Sequence, residues 1–262
     1  MAEQKTLIQA NGVCRDIPIK KGIIFPRQVG MLHAVNNVSI SVYAGETLAL
    51  VGQSGAGKTT LGLMMLGLIE PTSGEIVFDG QNLLAATREQ RRKIVQDSQL
   101  VFQDPVASLN PQLSAGQSIE LPLLNLGWER KKRQERVREL LDMVSLSPSH
   151  ATHYPHQFSG GQAQRVAIAR ALAGSPRFVV LDEPVSALDV TIQAQIINLL
   201  KDLQARLQLT YLFIAHNLDV VYYMSDRVAV MSHGRLVELG ECDEVIRNPK
   251  HELTKELVSS SI

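Results

Sequence analysis

The stretch Gly52-Gln53-Ser54-Gly55-Ala56-Gly57-Lys58-Thr59 limits what this chain can fold into more than any other. Two glycines stand with four residues between them, and a lysine and a hydroxyl residue follow the second. This is the phosphate-loop pattern. Before it, Thr47-Leu48-Ala49-Leu50-Val51 reads as a buried strand; after it, Leu61 to Leu68 reads as a core-facing helix. Glycines let the backbone turn tightly and aim several N–H groups at one anion. The helix start adds the positive end of its dipole at the same spot. Lys58 can reach β- and γ-phosphates, Thr59 can offer its hydroxyl to Mg²⁺, and Thr60 follows in the same binding set. A glycine-rich turn with a surface lysine is the competing reading, and it leaves the flanking strand and helix unexplained.

Composition bounds the rest. The 262 residues suffice for one large domain or two small ones with a sizeable core. Apolar residues make up 45% and charged residues 20%, which excludes a disordered chain, and the formal net charge of +0 gives no bulk nucleic-acid footprint. Cys14 and Cys242 lie far apart and match no metal-ligand spacing, so they read as free thiols in a reducing compartment. Met1 to Ala10 lacks the apolar centre of a signal peptide, and the apolar run near Leu61 to Ile69 is too short to span a bilayer. The reading is a cytosolic protein whose membrane role comes through partners.

Leu7 to Val13 is expected as an edge strand, Cys14 to Leu32 as a loop punctuated by Pro18, Gly22, Pro26 and Gly30, and His33 to Tyr43 as a second strand. Glu75 to Phe78 reads as a strand and Thr87 to Val95 as a solvated helix. Leu100-Val101-Phe102 is a short strand with Gln103 at its end. A glutamine there, beside a phosphate site, can hold Mg²⁺ or the attacking water. Val106 to His156 has a different texture and reads as a helical insertion, with Val137, Leu140, Leu141 and Val144 on one face. Its basic run Arg130-Lys131-Lys132-Arg133 is the wet face of a helix, because Glu129, Glu135 and Glu139 interleave with it.

Phe158-Ser159-Gly160-Gly161-Gln162 opens a helix that continues through Arg165 to Leu172. A serine and two glycines at a helix start leave bare N–H groups for a second phosphate; an ordinary serine N-cap also accounts for them. Phe178 to Leu181 is a buried strand ending in Asp182-Glu183-Pro184. In a phosphate-loop protein an aspartate at that place holds Mg²⁺, and Glu183 beside it is placed to accept a proton from the attacking water. Ser186-Ala187-Leu188-Asp189 leads into an amphipathic helix, Thr191 to Leu207. Leu209 to Ala215 is another apolar strand, with His216 at its end; of seven histidines this one alone is read as following a buried strand of this kind. Asp226 to Gly240 reads as a hairpin turning at His233-Gly234, and the tail after Asn248-Pro249 as a short helix.

In chain order, the phosphate loop, Gln103, Ser159-Gly160-Gly161-Gln162, the Asp182-Glu183 strand end, Asp189 and His216 resemble the ATP-binding subunit of an ABC transporter. Val101-Phe102-Gln103-Asp104-Pro105, Ser108-Leu109-Asn110-Pro111, Tyr154-Pro155-His156, Pro184-Val185-Ser186-Ala187-Leu188-Asp189 with Gln193-Ala194-Gln195, and the Asn248-Pro249 tail narrow the resemblance to the peptide/nickel importer branch. The resemblance covers nearly the whole chain. It implies an α/β fold: an ABC-type P-loop ATPase with a RecA-like core sheet, an antiparallel β subdomain and a helical subdomain. The boundaries expected are 1–102 with 176–247 for the core and β subdomain, 103–175 for the helical and signature subdomain, and 248–262 for the tail.

The same resemblance implies ATP and Mg²⁺ as cofactors and a head-to-tail dimer of ATP-binding subunits. Gly52 to Thr60 would hold ATP in cis, and Ser159, Gly160, Gly161 and Gln162 would meet the nucleotide held by the partner. Thr59, Gln103 and Asp182 would serve Mg²⁺. Glu183 would be the general base, His216 would sense the γ-phosphate, and Asp189 would bridge the two sites. The partners implied are a second, related ATPase subunit, two transmembrane permease subunits and, indirectly, an extracytoplasmic solute-binding protein, with no nucleic acid. The place implied is the cytoplasmic face of the bacterial inner membrane. The permease would dock on the surface near Gln103 to Leu126.

The sequence departs from the family at several points. Where an aromatic residue stacks on adenine in the family, this chain reads Cys14-Arg15-Asp16-Ile17-Pro18, with Phe25 nearby. Phe158 stands where leucine is commoner and Asn217 where aspartate is usual. The chain stops soon after Thr254 without the cysteine-containing extension of many relatives, so no iron–sulfur cluster is expected. Peptides are the first expectation for the imported solute, ahead of nickel, a metal chelate or another small solute. A non-transport ABC ATPase would carry long coiled coils or a second cassette, which this sequence lacks. A poorly hydrolysing regulatory subunit fits less well with Glu183 and His216 both present.

Overall fold

The computed structural model describes residues 5–21 and 27–260. In chain order its elements begin with β1 (Thr6–Lys21), β2 (Arg27–Tyr43), β3 (Thr47–Val51), α1 (Lys58–Met65), β4 (Ser73–Phe78), β5 (Gln81–Asn82), α2 (Arg88–Asp97) and β6 (Ser98–Val101). Then come α3 (Pro105–Ser108), α4 (Ala115–Asn125), α5 (Arg130–Met143), α6 (Gly160–Leu172), β7 (Phe178–Asp182) and α7 (Val190–Leu207). The last are β8 (Thr210–Ile214), α8 (Leu218–Met224), β9 (Arg227–Ser232), β10 (Arg235–Glu241), α9 (Cys242–Arg247) and α10 (Glu252–Ser259). Two compact units result: Met1–Arg92 with Leu212–Ile262, and Lys93–Tyr211.

In the first unit, β1 and β2 pair antiparallel from Thr6↔Tyr43 to Lys21↔Arg27. β4 pairs with the other side of β1 from Ile8↔Phe78 to Cys14↔Ser73, giving the order β2-β1-β4-β5 among the described residues. Two sequence expectations are corrected by this sheet. The strand at Leu7–Val13 is an inner strand, not an edge. The expected loop over Cys14–Leu32 is largely a two-stranded ribbon, since β1 runs on to Lys21 and β2 begins at Arg27. Pro18 is the misleading signal. It lies beyond the last β1–β4 pair, where among the described residues β1 pairs with β2 alone and a residue without an N–H is tolerated.

β3 is buried at all five residues, the pattern of a strand covered on both faces. It runs parallel to β9 from Leu48↔Arg227 to Val51↔Val230, and Ala215, just past β8, donates its N–H to the Leu50 carbonyl at 3.4 Å. The start of β3 is pinned by a reciprocal pair: the Thr47 N–H donates to Asp226 Oδ2 at 2.8 Å and the Asp226 N–H to the Thr47 carbonyl at 2.9 Å. Beside it Glu46 accepts from the Tyr43 N–H at 2.6 Å and from Arg227 at 3.1 Å. Burial holds the Glu46 carboxyl above its ordinary range despite those donors. Leu61, Met64 and Met65 of α1 are fully buried, each worth about 1.5–3 kcal/mol of apolar burial. β9 and β10 form the expected hairpin, and positive φ at both His233 (46°) and Gly234 (77°) gives the turn the twist a two-residue hairpin needs.

In the second unit, β6 and β7 pair in parallel from Ser98↔Phe178 to Val101↔Leu181. The expected helical insertion is present as α3, α4 and α5, and Val137, Leu140, Leu141 and Val144 are all buried. The basic run is only partly a wet face. Arg130, Lys131 and Lys132 are exposed, but Arg133 turns inward, donating to Glu120 Oε1 at 2.7 Å and to the Trp128 carbonyl at 2.6 Å. Among the described residues no helix is long and apolar enough to cross a membrane.

Candidate functional site

The residues singled out in the sequence fall in both units. In the first, β3 delivers the chain into the phosphate loop and α1 carries it away. Gly52 and Gly57 have φ of 148° and 97°, conformations that side chains rarely adopt. A Cβ on Gly52 would sit 2.2 Å from the Met231 carbonyl oxygen, and one on Gly57 would sit 2.1 Å from the Ala34 carbonyl oxygen. Both neighbours are backbone, so nothing larger than glycine fits without moving β9 or β2. The β9–β10 turn braces the loop: the Gly234 N–H donates to the Ala56 carbonyl at 3.0 Å, and the Asn36 N–H donates to the Gly234 carbonyl at 2.7 Å.

Lys58 is buried. Its Nζ donates to the carbonyls of Gly52 at 2.8 Å and Gln53 at 3.0 Å, which holds the ammonium at the centre of the loop. Gln53, Ser54, Gly55 and Thr59 are exposed, Thr60 is half-buried and Ala56 is buried. α1 starts on Gly57 without a side-chain cap and has no acidic residue in its first turn. The helix start therefore turns its positive dipole end toward an anion with no side-chain cap in the way. His216 follows β8, the strand bordering β3, and is exposed. It is not alone in following a buried strand: His233 directly follows β9, whose Val228 to Met231 are buried. Asn217 caps α8, accepting from the N–H groups of Asp219 at 2.8 Å and Val220 at 3.3 Å.

In the second unit, Gln103 lies two residues past β6 and Glu183 one residue past β7. The parallel pairing of those strands brings their ends together, and Gln103 Nε2 donates to Glu183 Oε2 at 2.9 Å. Gln103 Nε2 also reaches Ser186 Oγ at 3.4 Å, and Ser186 Oγ donates to the Glu183 carbonyl at 3.1 Å. Sequence reasoning gives Ser186 no role, because a serine in a turn carries no signal of its own. Glu183 has φ of 49°, in the left-handed region that costs a non-glycine residue about 1–2 kcal/mol. Asp182 ends β7 and is half-buried.

Ser159 and Gln162 form a reciprocal capping box at the start of α6. The Gln162 N–H donates to Ser159 Oγ at 3.3 Å, and the Ser159 N–H donates to Gln162 Oε1 at 3.0 Å. The N-cap reading of Ser159 is thus a fact of the fold. It leaves the phosphate reading open, because the serine hydroxyl hydrogen and other N–H groups of the first turn are not used by the box. α6 has no acidic residue in its first turn. Asp189 caps α7, accepting from the Ile192 N–H at 3.0 Å. Asp16 and Ile17, at the place where an adenine contact is sought, are strand residues of β1, and Asp16 Oδ1 meets His33 Nδ1 at 2.7 Å. Phe25 lies outside the described residues.

The phosphate loop between β3 and α1 marks a P-loop nucleotide-binding protein, and comparison with known proteins says which kind. The profile of the ABC transporter family matches residues 35–186. The oligopeptide transport ATP-binding protein OppF of Bacillus subtilis (strain 168) is 49% identical over 92% of this chain and 80% of its own length. The dipeptide transport ATP-binding protein DppF of Escherichia coli (strain K12) is 44% identical over 98% of this chain and 77% of its own. Among solved structures, the cassette MJ0796 in a dimeric post-hydrolysis state with ADP and Pi superposes with a TM-score of 0.78 at 30% identity. That match covers 90% of this chain and 98% of that one. The chain belongs to the ABC transporter ATP-binding proteins. It is an ATPase of the P-loop ABC fold, in the branch of the oligopeptide and dipeptide importers.

Proposed function

We propose that this chain binds and hydrolyses ATP to drive a bacterial importer of di- and oligopeptides. The observation that carries the hydrolysis is the left-handed Glu183 at the end of β7, held by Gln103 at 2.9 Å. Backbone strain of this kind persists where the surrounding structure over-determines it, and such residues cluster at active sites. The peptide assignment rests on relatives such as those named above.

In this reading Gly52 to Thr60 cradle the phosphates, with the Lys58 ammonium kept in place by two loop carbonyls. Glu183 accepts the proton of the attacking water, and Gln103 and Ser186 keep its carboxylate aimed. His216 orients that water. Mg²⁺, when bound, neutralises phosphate charge. Thr59, Asp182 and Gln103 are the residues that would hold it. Each carries a hydroxyl, carboxylate or amide oxygen, the hard donor type that Mg²⁺ takes beside phosphates and water. Among the described residues no group of three or more His, Cys, Asp or Glu forms a cage by itself.

The ATP-binding subunit is taken to work at the cytoplasmic face of the inner membrane against two permease subunits, paired with a second, related ATPase. Ser159, Gly160, Gly161, Gln162 and Asp189 then face the nucleotide held by that partner. The division proposed is 1–102 with 176–247 for the core and β subdomain, 103–175 for the signature subdomain and 248–262 for the tail. The test is purification of the tagged chain from its native membranes, followed by reconstitution in liposomes. Co-purifying permease subunits and ATP hydrolysis stimulated by a peptide-loaded binding protein are expected. Hydrolysis without any permease would overturn the transporter reading. Stimulation by nickel and not by peptides would overturn the substrate.

A further inference from the structure

The two signature glycines are not glycines for conformational reasons. Gly160 and Gly161 lie in the first turn of α6, and neither has positive φ. What they lack is room. Gly161 is buried, and a Cβ on it would lie 2.4 Å from Ile192 Cγ2, while one on Gly160 would lie 3.1 Å from Leu188 Cδ2. Leu188 and Ile192 belong to the turn that starts α7, and that turn is firmly built. The Ile192 N–H is held by Asp189 Oδ1 at 3.0 Å, the Gln193 N–H by the Asp189 carbonyl at 2.8 Å, and Gln193 Nε2 donates to the Leu188 carbonyl at 2.9 Å. A second tie joins the two helices further on, from Arg165 Nη2 to Gln195 Oε1 at 3.4 Å.

We infer that Ile192 is a positioning residue for ATP hydrolysis. Its Cγ2 methyl fills the place of the side chain that Gly161 lacks, and so locks the start of α6 to the Asp189 turn. Ser159, Gly161 and Asp189 then act as one rigid edge toward the partner's nucleotide. This rests on the proposed function, in which those residues face that nucleotide. The lock is specific to a β-branched side chain. Valine keeps a methyl at the Cγ2 position. Leucine keeps the volume but has no such methyl.

The experiment measures ATP turnover and thermal unfolding of the full chain, purified with its partners. The variants are Ile192→Val, Ile192→Leu, Gly161→Ala and the double variant Gly161→Ala/Ile192→Ala. Ile192→Val should keep kcat within about twofold. Ile192→Leu should lose about tenfold in kcat, or roughly 1.4 kcal/mol of barrier, with KM for ATP held within about twofold, because the nucleotide binds first to its own phosphate loop. Gly161→Ala should lose at least as much.

The double variant should recover most of what Gly161→Ala loses. Ile192 Cβ lies 3.7 Å from the position of the new Cβ, an ordinary van der Waals contact that rebuilds the lock. A double variant no better than Gly161→Ala, or a leucine variant equal to the valine one, overturns the inference. A loss in kcat that follows the unfolding temperature across all four variants also overturns it, since the role is then stability alone. If wild type and Glu183→Gln hydrolyse ATP equally, the proposed function fails instead, so the two failures are distinguishable.

Discussion

The start of α1 and the start of α6 both present a helix dipole with no acid in the first turn, yet what crowds their glycines differs. At the phosphate loop the obstacles are backbone carbonyls, Met231 against Gly52 and Ala34 against Gly57, and both glycines have left-handed or mirror-region φ. At the signature the obstacles are side-chain carbons of Leu188 and Ile192, and the backbone is ordinary helix. The first site is thus fixed by two neighbouring strands and has no substitute. The second is fixed by side chains that other residues could replace, which makes it the part of the cassette whose tightness can be tuned.

Gly57→Ala gives the largest expected effect. Left-handed strain costs about 1–3 kcal/mol, and the carbonyl clash adds to it, which together predict a loss of about a hundredfold or more in ATP affinity. Titration with a fluorescent ATP analogue measures this. No side-chain change elsewhere should restore binding, in contrast to the rescue expected at Gly161. Affinity within threefold of wild type would break the comparison.

Glu183→Gln comes next. It removes the proton acceptor while keeping a side chain that Gln103 can still meet. Turnover should fall about 10²–10⁴-fold, with KM for ATP changing by less than about threefold. Steady-state kinetics that show less than a tenfold fall in kcat would remove Glu183 from the chemistry, and its left-handed backbone would then have no catalytic reason.

At the signature, the two readings of Ser159 can be pulled apart. Ser159→Ala deletes the capping box and should cost about 1 kcal/mol, a fall in Tm of about 2–4 °C. Ser159→Asp keeps a good N-cap, so its Tm should stay near that of wild type. It also brings a negative charge to a place proposed to face polyphosphate, so its turnover should fall below that of Ser159→Ala. If Ser159→Asp hydrolyses as well as Ser159→Ala, the serine is a cap and no more.

What is legible in the sequence follows the same division. The phosphate loop, β3, β7 and the helical insertion can be read because their signals are local: a glycine pattern, an apolar run, a 3.6-residue repeat. Gln103 and Glu183 are each legible as strand ends, but the part played by Ser186 is not, since a serine in a turn carries no signal of its own. The β1–β2 ribbon reads as a loop because Pro18 and Gly30 weigh against a strand locally, while the pairing of Ile17 with Leu32 and Ile19 with Gly30 is non-local. The fit of Ile192 against Gly161 is non-local too. No pattern of spacing reveals that a glycine is needed for a neighbour's methyl and not for its own φ.

A third helix start sharpens the contrast by being built the other way. α9 begins at Cys242 and carries Asp243 and Glu244 in its first turn. A helix N-terminus ordinarily favours a thiolate. At this one burial first, then the charges of Asp243, Asp226 and Glu241, push the Cys242 thiol up from 9.0 to about 11. Burial and nearby acids thus override the dipole, which is why the absence of acids at α1 and α6 matters. The sign follows from linkage. The unfolded thiol ionises from about pH 9 while the folded one stays protonated, so this contribution to stability is full below pH 9 and is lost as pH rises through 11. Comparing wild type with Cys242→Ala cancels the other titrating groups. The Tm advantage of wild type over the variant should shrink by about 4 °C between pH 8 and pH 10.5. An advantage that stays constant or grows over that range would mean that burial and the nearby acids do not hold this thiol protonated.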